Sequence, residues 1–337
     1  MKAMILNSIA TLADNPEPLQ MVDLQRPHPG ADQILIKVSV CGVCHTELDE
    51  IEGRTAPPLL PVVPGHEVVG RVAAMGESAV RFKEGARVGV GWIYSSSGAA
   101  DENLSPDFRA TGRDANGGYA EFMVIGERYA YPIPDIFTDE EAAPLLCAGG
   151  VGYRSLKLTG ISDGDSLGLT GFGGSGHLVL QMAKHLYPNS EIFVFARSGR
   201  ERDFAMELGA SWSGDTSDNP PSALDAIIDT TPAWRPVLEG LRKLRPGGRL
   251  VINAIRKEPA DRDLMAGIDY ERDLWLEKEL KTVANVTSRD IAEFLPIAAA
   301  IPIRPEVESY PLEAANTALN DLRSGHVRGA KVLLVSQ

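Results

Sequence analysis

A chain of 337 residues with 44% hydrophobic composition is long enough to build two cores. Its formal net charge of −13, with no run of Lys or Arg, excludes the basic footprint that binding to nucleic acid or an anionic membrane requires. No apolar stretch reaches transmembrane length, the start M-K-A-M-I-L-N-S lacks the apolar run of a signal peptide, and three cysteines are too few for a disulfide framework. A cytoplasmic protein is the expectation.

From the start to about Gly91, short alternating runs are separated by turns. Gln33–Val40 alternates apolar and polar residues as a half-buried strand does, and Val68–Ala74 and Ala86–Val90 read alike. The pattern predicts a barrel-like, antiparallel β domain, with the segments between its strands as loops. Two of those segments carry chemistry, C-G-V-C-H-T-E at Cys41–Glu47 and P-G-H-E at Pro64–Glu67. Gly118–Val124 returns to strand alternation, and Glu140–Leu158 reads as one helix with Cys147 near its start, in P-L-L-C-A-G-G.

Cys44, His66 and Cys147 offer two thiolates and an imidazole, a donor set suited to zinc. Three ligands far apart in sequence leave a coordination position open for water or substrate, which is a catalytic arrangement. Cys41, three residues before Cys44, invites a C-x-x-C reading. That pair would leave His66 and Cys147 without a shared role, so Cys41 is read as a buried apolar bystander.

From about Ile161 to Val286 strands and helices alternate. Ser166–Thr170 is a short apolar strand, followed by G-F-G-G-S-G at Gly171–Gly176 and then by a helix that includes His177 and His185, both read as ordinary helix residues. A glycine motif that leaves a strand and opens a helix is a dinucleotide-binding signal. Gly171 permits the tight turn, Gly173 and Gly174 let the backbone approach the pyrophosphate, and Gly176 lets helix and strand pack closely. After the next strand, Glu191–Ala196, the chain reads A-R-S-G-R-E-R, without the acid that would bind a ribose 2′-hydroxyl. Arg197, Ser198 and Arg200 suit a 2′-phosphate instead, which favours NADP(H) over NAD(H). Further strands are expected at Asp225–Thr230 and Arg249–Ile255, further helices at Glu201–Leu208, Pro236–Leu244 and Leu312–Arg323, and a closing strand at Ala330–Val335.

Taken together, C-G-V-C-H-T-E, G-H-E-V-V-G and P-L-L-C-A-G make the chain resemble the zinc-dependent medium-chain alcohol dehydrogenases over nearly its whole length. The resemblance implies an α/β protein in two parts. Residues 1–152 and 287–337 would form a chaperonin-10-like catalytic domain, and residues 153–286 a Rossmann dinucleotide-binding domain. It also implies roles. Thr46 would begin the proton relay, His45 would face the cofactor phosphates, and Glu47 would orient His66. Glu67 would support the metal or swing in as a ligand, Trp92 would narrow the substrate pocket, and Arg328 would bind the pyrophosphate. Asp49 stands where many members carry the His that completes the relay, which leaves the last proton step open.

Many members also carry a lobe whose four cysteines bind a structural zinc. Here the stretch from Ser95 to Gly118 has no cysteine, and Ser97, Ala100 and Asn103 occupy the first three expected positions. One zinc per chain, no structural zinc, and a lobe held by packing alone or partly mobile are the expectations. The implied activity is hydride transfer between a nicotinamide cofactor and a primary alcohol or aldehyde, in a homodimer or homotetramer. A zinc-free quinone or enone reductase of the same superfamily and a non-catalytic NADP(H)-binding protein are the alternatives.

Overall fold

The computed structural model describes residues 1–324 and 329–336, so Arg328 lies outside the described residues. The chain divides into two compact units, one of Met1–Cys147 with Val286–Gln337 and one of Ala148–Asn285. None of the described helices is long and apolar enough to cross a membrane.

The first unit is built on a seven-stranded sheet. Its path runs Val307–Pro311, Ala330–Leu334, Gln33–Val43, Val68–Met75, Arg87–Val90 and Ala130–Pro132, with Phe122–Gly126 also paired to Gln33–Val43. Alternation along Gln33–Val43 sends Ile34, Ile36 and Val38 into a core with Val68, Val88 and Val90. One pairing departs from the expected antiparallel pattern. Val307–Pro311 and Ala330–Leu334 run parallel, because helix Ala315–Ser324 returns the chain between them.

Three local expectations are also corrected. Cys41–Glu47 does not end in a loop, since His45–Ile51 is a helix with Cys44 at its N-cap. The Glu47 carboxylate reaches back to accept the Cys44 backbone N–H at 2.9 Å, the sequence sign of a capped helix start. The single helix expected over Glu140–Leu158 is three pieces. Asp139–Pro144 is capped by Thr138, a π turn covers Leu145–Gly149, and Gly150–Thr159 follows. Pro144 has no N–H to continue an α ladder, and such π turns recur at functional sites. Finally, the strand expected from Gly118 begins only at Phe122, because Gly117, Gly118 and Tyr119 donate their N–H groups to Val63, Gly65 and Pro64.

The second unit holds a six-stranded, all-parallel sheet. Its order is Trp212–Gly214, Ile192–Phe195, Leu167–Thr170, Leu224–Asp229, Leu244–Ile252 and Glu279–Thr282. The chain winds outward in both directions from Leu167–Thr170, the doubly wound Rossmann order, which puts ligand sites at the carboxyl ends of the strands. The central strands are buried on both faces, so Leu167–Thr170 and Ile192–Phe195 read as unbroken apolar runs rather than as alternation.

Candidate metal centre and dinucleotide loop

Cys44, His66, Glu67 and Cys147 come together in the first unit, each offering one ligand atom, with these atoms all within 4.8 Å of one another. They arrive from three local structures. Cys44 caps helix His45–Ile51, His66 and Glu67 precede strand Val68–Met75, and Cys147 projects from the π turn. The two sulfurs are 3.9 Å apart. Gly42 explains why Glu67 can lie there: a Cβ on it would sit 1.8 Å from Glu67 Oε2.

The electrostatics of this cluster suit a cation. The hydrogen bond from the Cys147 thiol holds Cys44 well below the usual thiol range; burial opposes this, and His66 adds to the lowering. Cys147 is pushed up by donating that bond and then by burial. Burial pushes the Glu67 carboxyl well above the usual range, and the Cys44 charge pushes it further. Burial pulls the His66 imidazole down, but Glu47 and Cys44 outweigh it and hold it well above the ordinary value. Negative groups thus crowd one buried spot, a conflict that a dication relieves. His66 itself is 1% exposed, its Nδ1 is held by Glu47 Oε1, and its Nε2 has no hydrogen-bond partner in good geometry, with Cys44 the nearby group it acts on electrostatically. An imidazole oriented through one nitrogen and free at the other is prepared as a metal ligand. The residues present therefore fit zinc.

Thr46 is buried and its Oγ1 lies 3.6 Å from Cys44 Sγ. His45, next to it, is exposed. Trp92 sits with its ring centroid 6.3 Å from that of His66 and 5.7 Å from that of Phe108.

The alcohol dehydrogenase GroES-like domain model matches residues 30–135. The chain is 40% identical to the probable alcohol dehydrogenase AdhA of Mycobacterium tuberculosis, over 94% of this chain and 93% of that protein. It is 31% identical to an alcohol dehydrogenase of Moraxella sp. over 99% of both chains. Among solved structures, a cinnamyl alcohol dehydrogenase from Sorghum bicolor superposes with a TM-score of 0.80 at 27% identity, covering 99% of this chain and 97% of the other. The chain belongs to the zinc-type medium-chain alcohol dehydrogenase family. It is an oxidoreductase acting on alcohols with a nicotinamide cofactor.

In this alcohol dehydrogenase the second unit carries the glycine loop. Gly171 has φ +80° and its Cβ position lies 2.8 Å from Thr230 Oγ1, so both conformation and space demand glycine. A Cβ on Gly176 would lie 2.6 Å from the Gly171 carbonyl, the close helix–strand packing expected of it, whereas Gly173 and Gly174 face open space. His177, read as an ordinary helix residue, places its Nδ1 2.9 Å from the Gly173 carbonyl. Arg197, Ser198 and Arg200 are exposed just past strand Ile192–Phe195, with Ser198 at the N-cap of helix Gly199–Glu207. Arg202, which the sequence reading passed over, folds back to donate to the carbonyls of Ala196 and Arg197 at 2.8 and 3.0 Å.

The remaining relay position is engaged elsewhere. Asp49 is 1% exposed and its Oδ1 accepts from Arg54 Nε at 2.5 Å. One acid went unnoticed in the sequence. Glu50, one turn beyond Thr46 on the same helix face, is 2% exposed with neither carboxylate oxygen hydrogen-bonded in good geometry. Burial, then Glu47, pushes its carboxyl well above the usual range. The sequence carries no local signal for it, because the burial of Thr46–Ile51 around it comes from the fold.

Proposed function

We propose that this alcohol dehydrogenase holds one catalytic zinc through Cys44, His66 and Cys147, with Glu67 beside them, and interconverts a primary alcohol and its aldehyde with NADP(H) in preference to NAD(H). The observation that carries the metal reading is the buried, unpartnered Nε2 of His66 among two thiol sulfurs and a carboxylate. When bound, zinc supplies Lewis acidity that lowers the pKa of an alcohol or polarises a carbonyl, and the nicotinamide accepts or returns the hydride.

The residues of the chain do the rest. Glu47 fixes the ring of His66 and, through the Cys44 N–H, the start of the helix that carries Thr46. Thr46 takes the substrate proton at Oγ1 and hands it on, and Trp92 forms a wall that favours slim substrates. Asp49 is tied to Arg54, and a guanidinium cannot accept a proton, so the relay continues by another route than Arg54. Gly171–Gly176 and the start of helix Gly176–Leu186 receive the pyrophosphate, with His45 as a further phosphate contact, and Arg197, Ser198 and Arg200 take the 2′-phosphate. Three free cysteines fit a cytoplasmic location. The exposed edge strand Glu279–Thr282, with Leu280 exposed on it and Trp275 exposed just before it, supports assembly as a homodimer or homotetramer, which sedimentation equilibrium measures.

The test is turnover of primary alcohols and aldehydes with NADPH and NADH in parallel, on protein of measured zinc content. One zinc per chain and aldehyde reduction with NADPH are expected, both lost in Cys44→Ala. Turnover of enones by metal-free protein would overturn the zinc reading in favour of a quinone or enone reductase. Dinucleotide binding without any turnover would point to a non-catalytic binder.

A further inference from the structure

Lys257 is a cation that the sequence gives no reason to single out, yet it is 8% exposed and lies at the carboxyl ends of the parallel strands. Its ammonium donates to Asp229 Oδ2 and to the carbonyls of Thr231 and Ala233, the last two at 2.7 and 2.9 Å. All three of its protons are thereby used, so it has none to offer a phosphate. Asp229, fully buried at the end of strand Leu224–Asp229, accepts at Oδ1 from Thr170 Oγ1 at 2.5 Å and Thr231 Oγ1 at 2.8 Å. Thr170 is the residue that enters the glycine turn.

The contact with that turn is direct. Thr230 Oγ1 donates to the Thr170 carbonyl at 3.0 Å, and the Cβ position of Gly171 lies 2.8 Å from Thr230 Oγ1 and 2.9 Å from Thr231 Cγ2. Two neighbouring contacts clasp the same segment, with Asn253 donating its N–H to Asp229 and Glu258 its N–H to Pro232, both at 2.7 Å. Burying an ammonium and a carboxylate is expensive unless geometry and hydrogen bonds are complete, and here they are. A strand end under no functional constraint could close this space with apolar side chains at lower cost.

We infer that Lys257 is a positioning residue of the dinucleotide site: paired with Asp229, it holds Thr230 and Thr231 as a rigid wall against the glycine turn. The inference rests on the reading of Gly171–Gly176 as the cofactor loop. Loss of the ammonium releases the carbonyls of Thr231 and Ala233 and leaves Asp229 unpaired, so the wall loosens and the cofactor must order it on binding.

The experiment titrates NADPH and NADH into the parent, Lys257→Met and Lys257→Gln, following the quenching of protein fluorescence, with melting and near-UV dichroism as controls for folding. The expected result is a rise in the dinucleotide Kd of roughly 10- to 100-fold for Lys257→Met and a smaller rise for Lys257→Gln, which keeps donors for the carbonyls. In steady state the KM for the dinucleotide rises while the KM for the alcohol stays within about twofold, a split that a general loss of stability does not produce. Folded Lys257→Met or Lys257→Gln that binds dinucleotide as the parent does overturns the inference and leaves the proposed function standing. A parent that binds neither dinucleotide overturns the cofactor reading on which it rests.

Discussion

Glu102 ties the lobe from Ser95 to Gly118 to helix Ser288–Ala300 by hydrogen bonding, and its removal should be felt across the first unit. The lobe from Ser95 to Gly118, expected to be held by packing alone or to be partly mobile, is held by hydrogen bonds as well. Glu102 is 1% exposed, and its Oε1 accepts from the Ser288 N–H at 2.7 Å and the Ser288 hydroxyl at 2.5 Å. The Tyr129 hydroxyl is 3.2 Å from Oε2, and Ser96 Oγ donates to the Glu102 carbonyl at 2.6 Å. Ser288 is the first residue of helix Ser288–Ala300, so the carboxylate also faces the positive end of that helix. Hydrogen bonds to a charged group contribute about 1.5–3 kcal/mol each, but members of one network do not add fully. Glu102→Ala removes the acceptor and strands buried donors, for a loss of about 3–5 kcal/mol. At ~2–4 °C per kcal/mol for a unit of this size, the melting transition of the first unit should fall by roughly 6–20 °C. Glu102→Gln keeps an acceptor oxygen and should lose about 1–2 kcal/mol. Differential scanning calorimetry on both variants reads the effect. A Glu102→Ala transition within ~2 °C of the parent would refute the reasoning, since a buried network worth this much cannot vanish without trace.

The two exposed arginines past strand Ile192–Phe195 set a cofactor prediction: Arg197→Ala with Arg200→Ala should raise the KM for NADPH about 10- to 100-fold and barely move that for NADH, and equal effects on both would remove the 2′-phosphate assignment. Asp273 is fully buried, and the Arg272 guanidinium, ahead of the opposing burial, holds its carboxyl down to about 2. Its contribution is therefore complete above the unfolded value near 4 and lost as pH falls toward 2; because Arg272 is half exposed, Asp273→Asn should cost only about 1–2 kcal/mol at pH 7, a gap in urea unfolding that closes in acid. Glu50 has the opposite sign, since burial and then Glu47 raise its carboxyl, so its burden is absent below the unfolded value and grows as pH rises. Glu50→Gln should accordingly melt higher than the parent at pH 8 and level with it near pH 4, and a lower melting temperature at pH 8 would show that the charge is supported after all.

Candidate metal ligands and glycine turns are open to sequence reading because few residue types can do those jobs. A soft donor set leaves only Cys and His to consider, and a positive φ beside a close backbone leaves only glycine, as at Gly171. Strand Gln33–Val43 was legible for a similar reason: one face is buried, so alternation survives in the sequence. Helix His45–Ile51 was missed although Cys44 and Glu47 stand at the capping spacing, because cysteine is an unusual residue in that role. What stayed hidden depends on partners brought together by the fold. Glu102 meets Ser288 across 186 positions, and Asp229 meets Lys257 across 28, and in neither case does local sequence reveal the partner. The arginines at 197, 200 and 202 make the same point at short range. They are identical in chemistry and five positions apart at most, yet only Arg202 is drawn inward, because the carbonyls of Ala196 and Arg197 turn toward it as the strand ends. Which cation is structural and which stays at the surface is decided by where the backbone points its acceptors, a property of the folded chain and not of the residue type.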